Sequence, residues 1–182
     1  MGLQLETPAA ATAVVTLAEA KAYAKVDGTA NDSRVLLMIP DAVGLVEEHL
    51  SRSLAEQGWL YTLPAFADEI DLPRGPVIAI DSVKYLDPDN VEQTLDSAVY
   101  TLDLVSDPAR IVRNDGESWP ALGSQPNQVR IHYRSGFGTV PAPIKIAILM
   151  TVATLFDNPA AGGLPDGALL RLQPWRSEWF AA

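Results

Sequence analysis

The stretch from Pro141 to Asn158, PAPIKIAILMTVATLFDN, constrains the fold more than any other. Pro141 and Pro143 open it, where a missing N–H costs nothing because the first helical turn has no intrahelical acceptor for it. From Ile144 to Phe156 only Lys145 is charged, and Thr151 and Thr154 are the only hydroxyls. Asp157, Asn158 and Pro159 then stop the helix. A helix apolar nearly all round must be covered on every side, either within one core or between a core and a neighbouring subunit. The run is shorter than the roughly 20 residues a bilayer span requires. It therefore predicts the central helix of a soluble helical core, with the other helices as its packing partners.

Those helices are legible before it and after it. Thr16 and Glu19 form a T-x-x-E capping box at the start of a helix over 16–26, with Leu17, Ala20 and Ala24 as its apolar stripe. Asn31 or Asp32 caps a second helix running to about Ser51, in which Val35, Leu36, Ile39, Ala42, Val43, Val46 and Leu50 recur at helical spacing. Pro40 interrupts that pattern and predicts a bend or break near Ile39. Gly167 to Leu172 predicts a short helix capped by Asp166.

Between them the periodicity changes. From Trp59 to Tyr133 short runs of strand formers alternate with Pro, Gly, Asp and Asn. Strands are expected at 59–63, 69–72, 77–86, 91–95, 100–105, 110–113 and 128–134. The turn Asp87-Pro88-Asp89-Asn90 joins two of them as a hairpin, and Asp107-Pro108 joins another pair. In the last strand Val129, Ile131 and Tyr133 alternate with Arg130, His132 and Arg134, the pattern of a half-exposed strand.

The expected class is α+β: a helical bundle formed by N- and C-terminal helices, with an inserted antiparallel β region. The divisions are a flexible N-terminal arm (1–14), a helical core (15–54 and 139–172), a β-rich insertion (55–138) and a C-terminal docking tail (173–182). The arm is rich in Ala, Thr and Pro and carries no basic-then-apolar signal pattern. The tail holds Trp175, Trp179 and Phe180, more aromatic surface than a solvated segment needs. They either fold back on the core or dock on another chain.

Composition removes much chemistry. With no cysteine there is no disulfide, thiolate nucleophile or Cys-based metal site. Thirteen basic against 23 acidic residues, a net charge of −10, disfavour a nucleic-acid clamp, because phosphate binding is driven by Lys and Arg. Neither a nucleophile elbow nor a phosphate-binding glycine loop is present. His49 and His132 lie in different elements. Asp87, Asp89 and Asn90 resemble a calcium loop only superficially, since the later Gly and the bidentate Glu are missing. No catalytic residue, cofactor site or metal site is assigned. A pocket around His132 or His49 with a carboxylate in reach would mark the alternative, a small ligand-binding domain or enzyme.

Four stretches carry a family resemblance: Val15 to Lys21; Asn31-Asp32 through Val46-Glu47 to Leu54; Leu72-Pro73-Arg74-Gly75-Pro76-Val77 continuing to Ser82-Val83-Lys84-Tyr85-Leu86-Asp87; and Val129 to Gly138 with the Pro-led apolar helix behind it. In this order the chain resembles the head–tail connector (adaptor) family of tailed phages and gene transfer agents. The segment after Pro143 departs from the family pattern in carrying less charge.

The resemblance implies a structural virion protein in the neck between capsid and tail, assembled in the host cytoplasm. It implies a ring, twelve-fold in the particle, beneath the portal protein and joined to head-closure (stopper) or tail proteins. DNA would pass through the channel without specific binding, and no membrane is involved. Carried over to this sequence, Leu172, Trp175, Trp179 and Phe180 are the portal-docking candidates. Another neck or tail-completion protein of such a particle is the alternative within the same class.

Overall fold

The computed structural model describes residues 1–177. Two compact units emerge, each assembled from separated pieces of chain: Met1–Pro8 with Glu56–Gly136, and Ala9–Ala55 with the chain from Phe137 onward. The α+β class is as expected, with antiparallel sheets throughout.

The second unit is helical. It contains α1 (Leu17–Ala24), α2 (Asp32–Leu50), α3 (Ala142–Asp157) and α4 (Asp166–Leu172). Helix α3 contacts α1, α2 and α4. The capping box forms: Glu19 N donates to Thr16 Oγ1 at 3.3 Å, and Thr16 N donates to Glu19 Oε2 at 3.0 Å. Lys145 Nζ then reaches Glu19 Oε1 at 2.6 Å, tying α3 to α1. That bond, with the two from Thr16, holds the Glu19 carboxyl down to about 2. Val35, Ile39, Ala42, Val43, Val46 and Leu50 face the core, whereas Leu36 is exposed. Helix α2 runs through Pro40 without the expected break. Pro40 is on the exposed side, where water can satisfy the carbonyl that loses its amide donor.

On α3 the residues Ile144, Ala147, Ile148, Thr151, Val152 and Leu155 are buried. Thr151 Oγ1 donates to Ala147 O at 2.8 Å, so its hydroxyl is satisfied inside the helix. The opposite face is not covered as the sequence predicts. Ile146 is 37% exposed, and Leu149, Met150 and Ala153 are only half-buried. Neighbouring helices cover one side of α3, and apolar composition alone cannot specify the other.

The first unit contains β1 (Gly2–Thr7), β2 (Gln57–Leu63), β3 (Glu69–Asp71), β4 (Val77–Leu86), β5 (Glu92–Thr94), β6 (Tyr100–Asp103), β7 (Arg110–Arg113) and β8 (Val129–Ser135). They form a five-stranded sheet ordered β1-β2-β8-β4-β5 and a three-stranded sheet ordered β3-β7-β6. Both predicted hairpins are present. Strand β8 alternates as read, with Val129, Ile131 and Tyr133 buried and Arg130, His132 and Arg134 half-exposed. Its partners are Trp59↔Tyr133 and Tyr61↔Ile131 on β2, and Val83↔Ile131 on β4. Ile70, Leu72 and Ile111 from the smaller sheet join Val83, Val129 and Ile131 in one apolar cluster. Tyr133 is buried there and its hydroxyl donates to Pro73 O at 2.7 Å.

The N-terminal arm is a correction. Gly2–Thr7 is an edge strand paired with β2, from Gly2↔Thr62 to Leu5↔Trp59. Leu3 and Leu5 do alternate with Gln4 and Glu6, but the Ala/Thr/Pro-rich residues beside them mask so short a pattern. An edge ladder is held by backbone groups, which composition does not reveal. Residues Ala11–Ala13 form a 3-10 turn, and Val14 is already buried in the helical core. Leu172 is a second correction: it is fully buried among the helices, because Ala168 and Leu172 are the inward positions of α4.

Candidate functional site

The outward face of the five-stranded sheet carries the cations of β8. Arg130 and Lys84 both hold Glu92, at 2.6 and 3.0 Å. His132 Nδ1 lies 2.8 Å from Glu6 Oε2. Arg134 bridges Glu56 at 2.8 Å and Asp81 at 2.9 Å. These bonds raise the Arg134 pKa, and the Lys84 bond leads in lowering that of Glu92. A groove of about 310 Å³ opens among Glu6, Glu56, Gly58, Asp81, His132 and Arg134. Gly58 serves the strand pairing here, because a Cβ on it would come within 3.1 Å of Thr7 at the bulge of β1.

This is the pocket around His132, with a carboxylate in reach, that the alternative function requires. A His–carboxylate pair can orient a general base. Yet both carboxylates beside Arg134 are already engaged by it, and the groove lies on a sheet face. Among the described residues no group of three His, Cys, Asp or Glu side chains is placed to hold a metal. Sequence reasoning did not pair His132 with Glu6, because 126 residues separate them and β1 had been read as an arm.

The other titratable clusters serve structure. Asp87 Oδ1 accepts from Asp89 N and Val91 N, and Oδ2 accepts from Gln93 Nε2, which lowers its pKa and consumes the oxygens a calcium ion would need. His49 is half-buried near the end of α2, and burial, then Arg176, lowers its pKa.

Of the docking candidates, Leu172 is core. Trp175 is half-buried with its ring edge-on to Phe137 at 6.4 Å, and its carbonyl accepts from Arg52 Nε at 2.7 Å. Ser177 N donates to Leu50 O at 3.0 Å. The tail therefore folds back on the helical core as far as Ser177. Trp179 and Phe180 lie outside the described residues.

The exposed apolar residues are elsewhere, and the sequence reading named none of them as a contact. Leu37 on α2 is 76% exposed and Leu170 on α4 is 67% exposed. Val105, after β6, is 97% exposed beside the exposed Leu104. Its loop is preformed: Asp103 accepts from Ser106 Oγ, Val105 N, Ser106 N and Arg110 Nε, which holds its carboxyl down to about 2.

No protein-family model matches the chain, and no curated protein matches it in sequence. Solved structures do match. A chain from the neck of an empty gene transfer agent particle, computed with C6 symmetry, superposes with a TM-score of 0.81 at 22% identity. The match covers 97% of this chain and 96% of that one. This chain has the fold of a gene transfer agent neck chain. Chains from the native gene transfer agent virion and from the native neck computed with C12 symmetry each give a TM-score of 0.79, at 20% and 22% identity. Each of these matches also covers 97% of this chain and 96% of the other.

Proposed function

We propose that this chain is a structural neck protein of a phage-like particle, a non-enzymatic head–tail adaptor that forms a ring beneath the portal and joins capsid to tail. The carrying observation is the near-full-length match to chains from gene transfer agent necks, a TM-score of 0.81 over 97% of the chain. The C6 and C12 symmetries of those necks support a ring of copies of this chain as well. In this reading the helices from both chain ends form a bundle around α3, and the β unit is its insertion. Trp175, Trp179 and Phe180 engage the portal, with stopper or tail proteins on the other side. DNA passes without specific binding, consistent with the net charge of −10 and with the pairing of Arg130, His132 and Arg134 to carboxylates.

The test is negative-stain microscopy of the purified protein mixed with the portal protein from the same gene cluster. A ring stacked on the portal, lost when residues 175–182 are deleted, is the expected result. Failure of the full-length chain to bind portal overturns the direct-adaptor role. Binding to stopper or tail proteins would then favour another neck or tail-completion protein. The groove at His132 favours a ligand-binding reading, which predicts chemical-shift changes confined to His132, Glu6 and Arg134 on adding the ligand.

A further inference from the structure

Leu37 sits on a face of α2 that nothing in this chain covers. Asp41, Gly44 and Glu48 follow it at helical spacing, and all four are exposed. A Cβ added at Gly44 would meet nothing within 4 Å, so the fold of the single chain has no use for a glycine there. In a helix interior that glycine costs about 1 kcal/mol relative to alanine. A cost without an internal reason points to close approach by something outside the chain.

Beside Leu37 lies a pocket of about 170 Å³, lined by Arg34, Leu37, Met38, Asp41, Leu155 and Pro159. An apolar cavity of about 150 Å³ holds a benzene, so this space can take one branched aliphatic side chain. Its two charged rims differ. The Arg34 guanidinium is engaged, donating to Phe156 O at 2.7 Å and lying 4.6 Å from the centroid of the Phe156 ring. Asp41 has no ion-pair partner among the described residues, and neither has Glu48. The free charge of the socket is therefore negative.

The chain carries two exposed aliphatic knobs. Val105 is followed by Ser106 and Asp107, which brings acid toward acid. Leu170 is followed by the exposed Arg171, whose guanidinium donates only to Gly167 O, at 3.0 Å, and has no carboxylate partner among the described residues. Charge complementarity selects Leu170–Arg171.

We infer that Leu170 of one copy of this chain seats in the pocket beside Leu37 of a second copy, with Arg171 meeting Asp41 across the contact. Knob and socket occupy different places on the same chain, so the contact is heterologous and generates a ring where the rotation closes. The inference deepens the ring reading proposed above and rests on it. It assigns the subunit contact to α2 and α4 of the helical unit rather than to the sheet edges.

The absence of cysteine makes the test clean. Leu37→Cys and Leu170→Cys full-length variants are mixed, assembled with portal protein and oxidised. A disulfide-linked dimer in the mixture, absent from either variant alone, is expected. Leu37→Cys mixed with Val105→Cys is the control and should not link. Asp41→Arg or Arg171→Asp alone should weaken ring formation by about tenfold, and the combined reversal should restore it. Rings that form without the 37–170 link, or that link 37 to 105, overturn this contact while leaving the ring reading intact. Absence of rings in the unmodified protein overturns both.

Discussion

The helical unit and the β unit are stabilised by different means. Around α3 the helices bury Val35, Ile39, Leu50, Ile144, Ile148 and Leu172 completely, and charge enters mainly at the edges, as in Glu19–Lys145 and Lys21–Asp32. The β unit has its own apolar cluster, but its surface is laced by Arg110, Arg113, Arg130 and Arg134, each held by a carboxylate. The contrast extends to what each leaves unused. On the sheet face the β8 cations have partners within the unit. The helical unit leaves Leu37, Ile146 and Leu170 in solvent. A surface that satisfies its own charges has little to offer a partner, whereas uncovered aliphatic side chains gain by being covered.

The contrast is sharpest in the core of the helices. Ile148→Ala, at a position with no exposure, should destabilise the protein by about 2–5 kcal/mol in urea unfolding, through lost burial and a residual cavity. A smaller loss would mean that α3 can collapse onto its neighbours. The β unit should answer most strongly at Tyr133. Burial pushes its hydroxyl pKa far up, so the proton stays and donates to Pro73 O. Tyr133→Phe leaves that carbonyl without its donor and should cost about 1–3 kcal/mol in the same measurement.

Capping comes next. Thr16→Ala removes one half of the capping box and should cost about 1 kcal/mol. Glu19 gives the helical unit a pH signature. Its folded pKa of about 2 lies below the model value of 4.5, so its stabilisation is complete above 4.5 and is lost as pH falls from 4.5 toward about 2. Glu19→Gln should flatten the acid limb of stability across that window. The effect is at most about 1 kcal/mol, because the group is solvent-screened. The smallest effect is expected on the sheet face. Arg134→Ala should cost less than about 1 kcal/mol, and 1 M salt should shrink the difference. A larger cost would show that the β unit depends on its ion pairs as the helical unit depends on α3.

Much of this organisation was legible in the sequence because it rests on period and punctuation. The 3.6-residue stripe of α2, the capping box at Thr16 and the two-residue alternation of β8 each leave a local mark. What was not legible depends on partners distant in sequence. Strand β1 exists because β2 offers it a ladder some fifty positions on, and no composition signal announces that. Leu172 was read as a docking residue from its place beside the aromatic tail, but helical phase puts it with Ala168 on the buried side of α4. Leu37 and Leu170 escaped notice because a single leucine in an apolar helix carries no mark of its side until the neighbouring helices are placed. His132 and Glu6 meet only once β1 is in the sheet.

The interleaving of the two units also sets the order of events during synthesis. Helices α1 and α2 leave the ribosome while α3 is still unmade. At about 5–20 residues per second, the roughly ninety residues between Leu50 and Ala142 occupy on the order of 5–20 seconds. For that interval the stripe from Val35 to Leu50 has no α3 to cover it, and short isolated helices are marginal in water. Chaperone capture of nascent chains should accordingly peak after α2 emerges and end only when α3 has been translated.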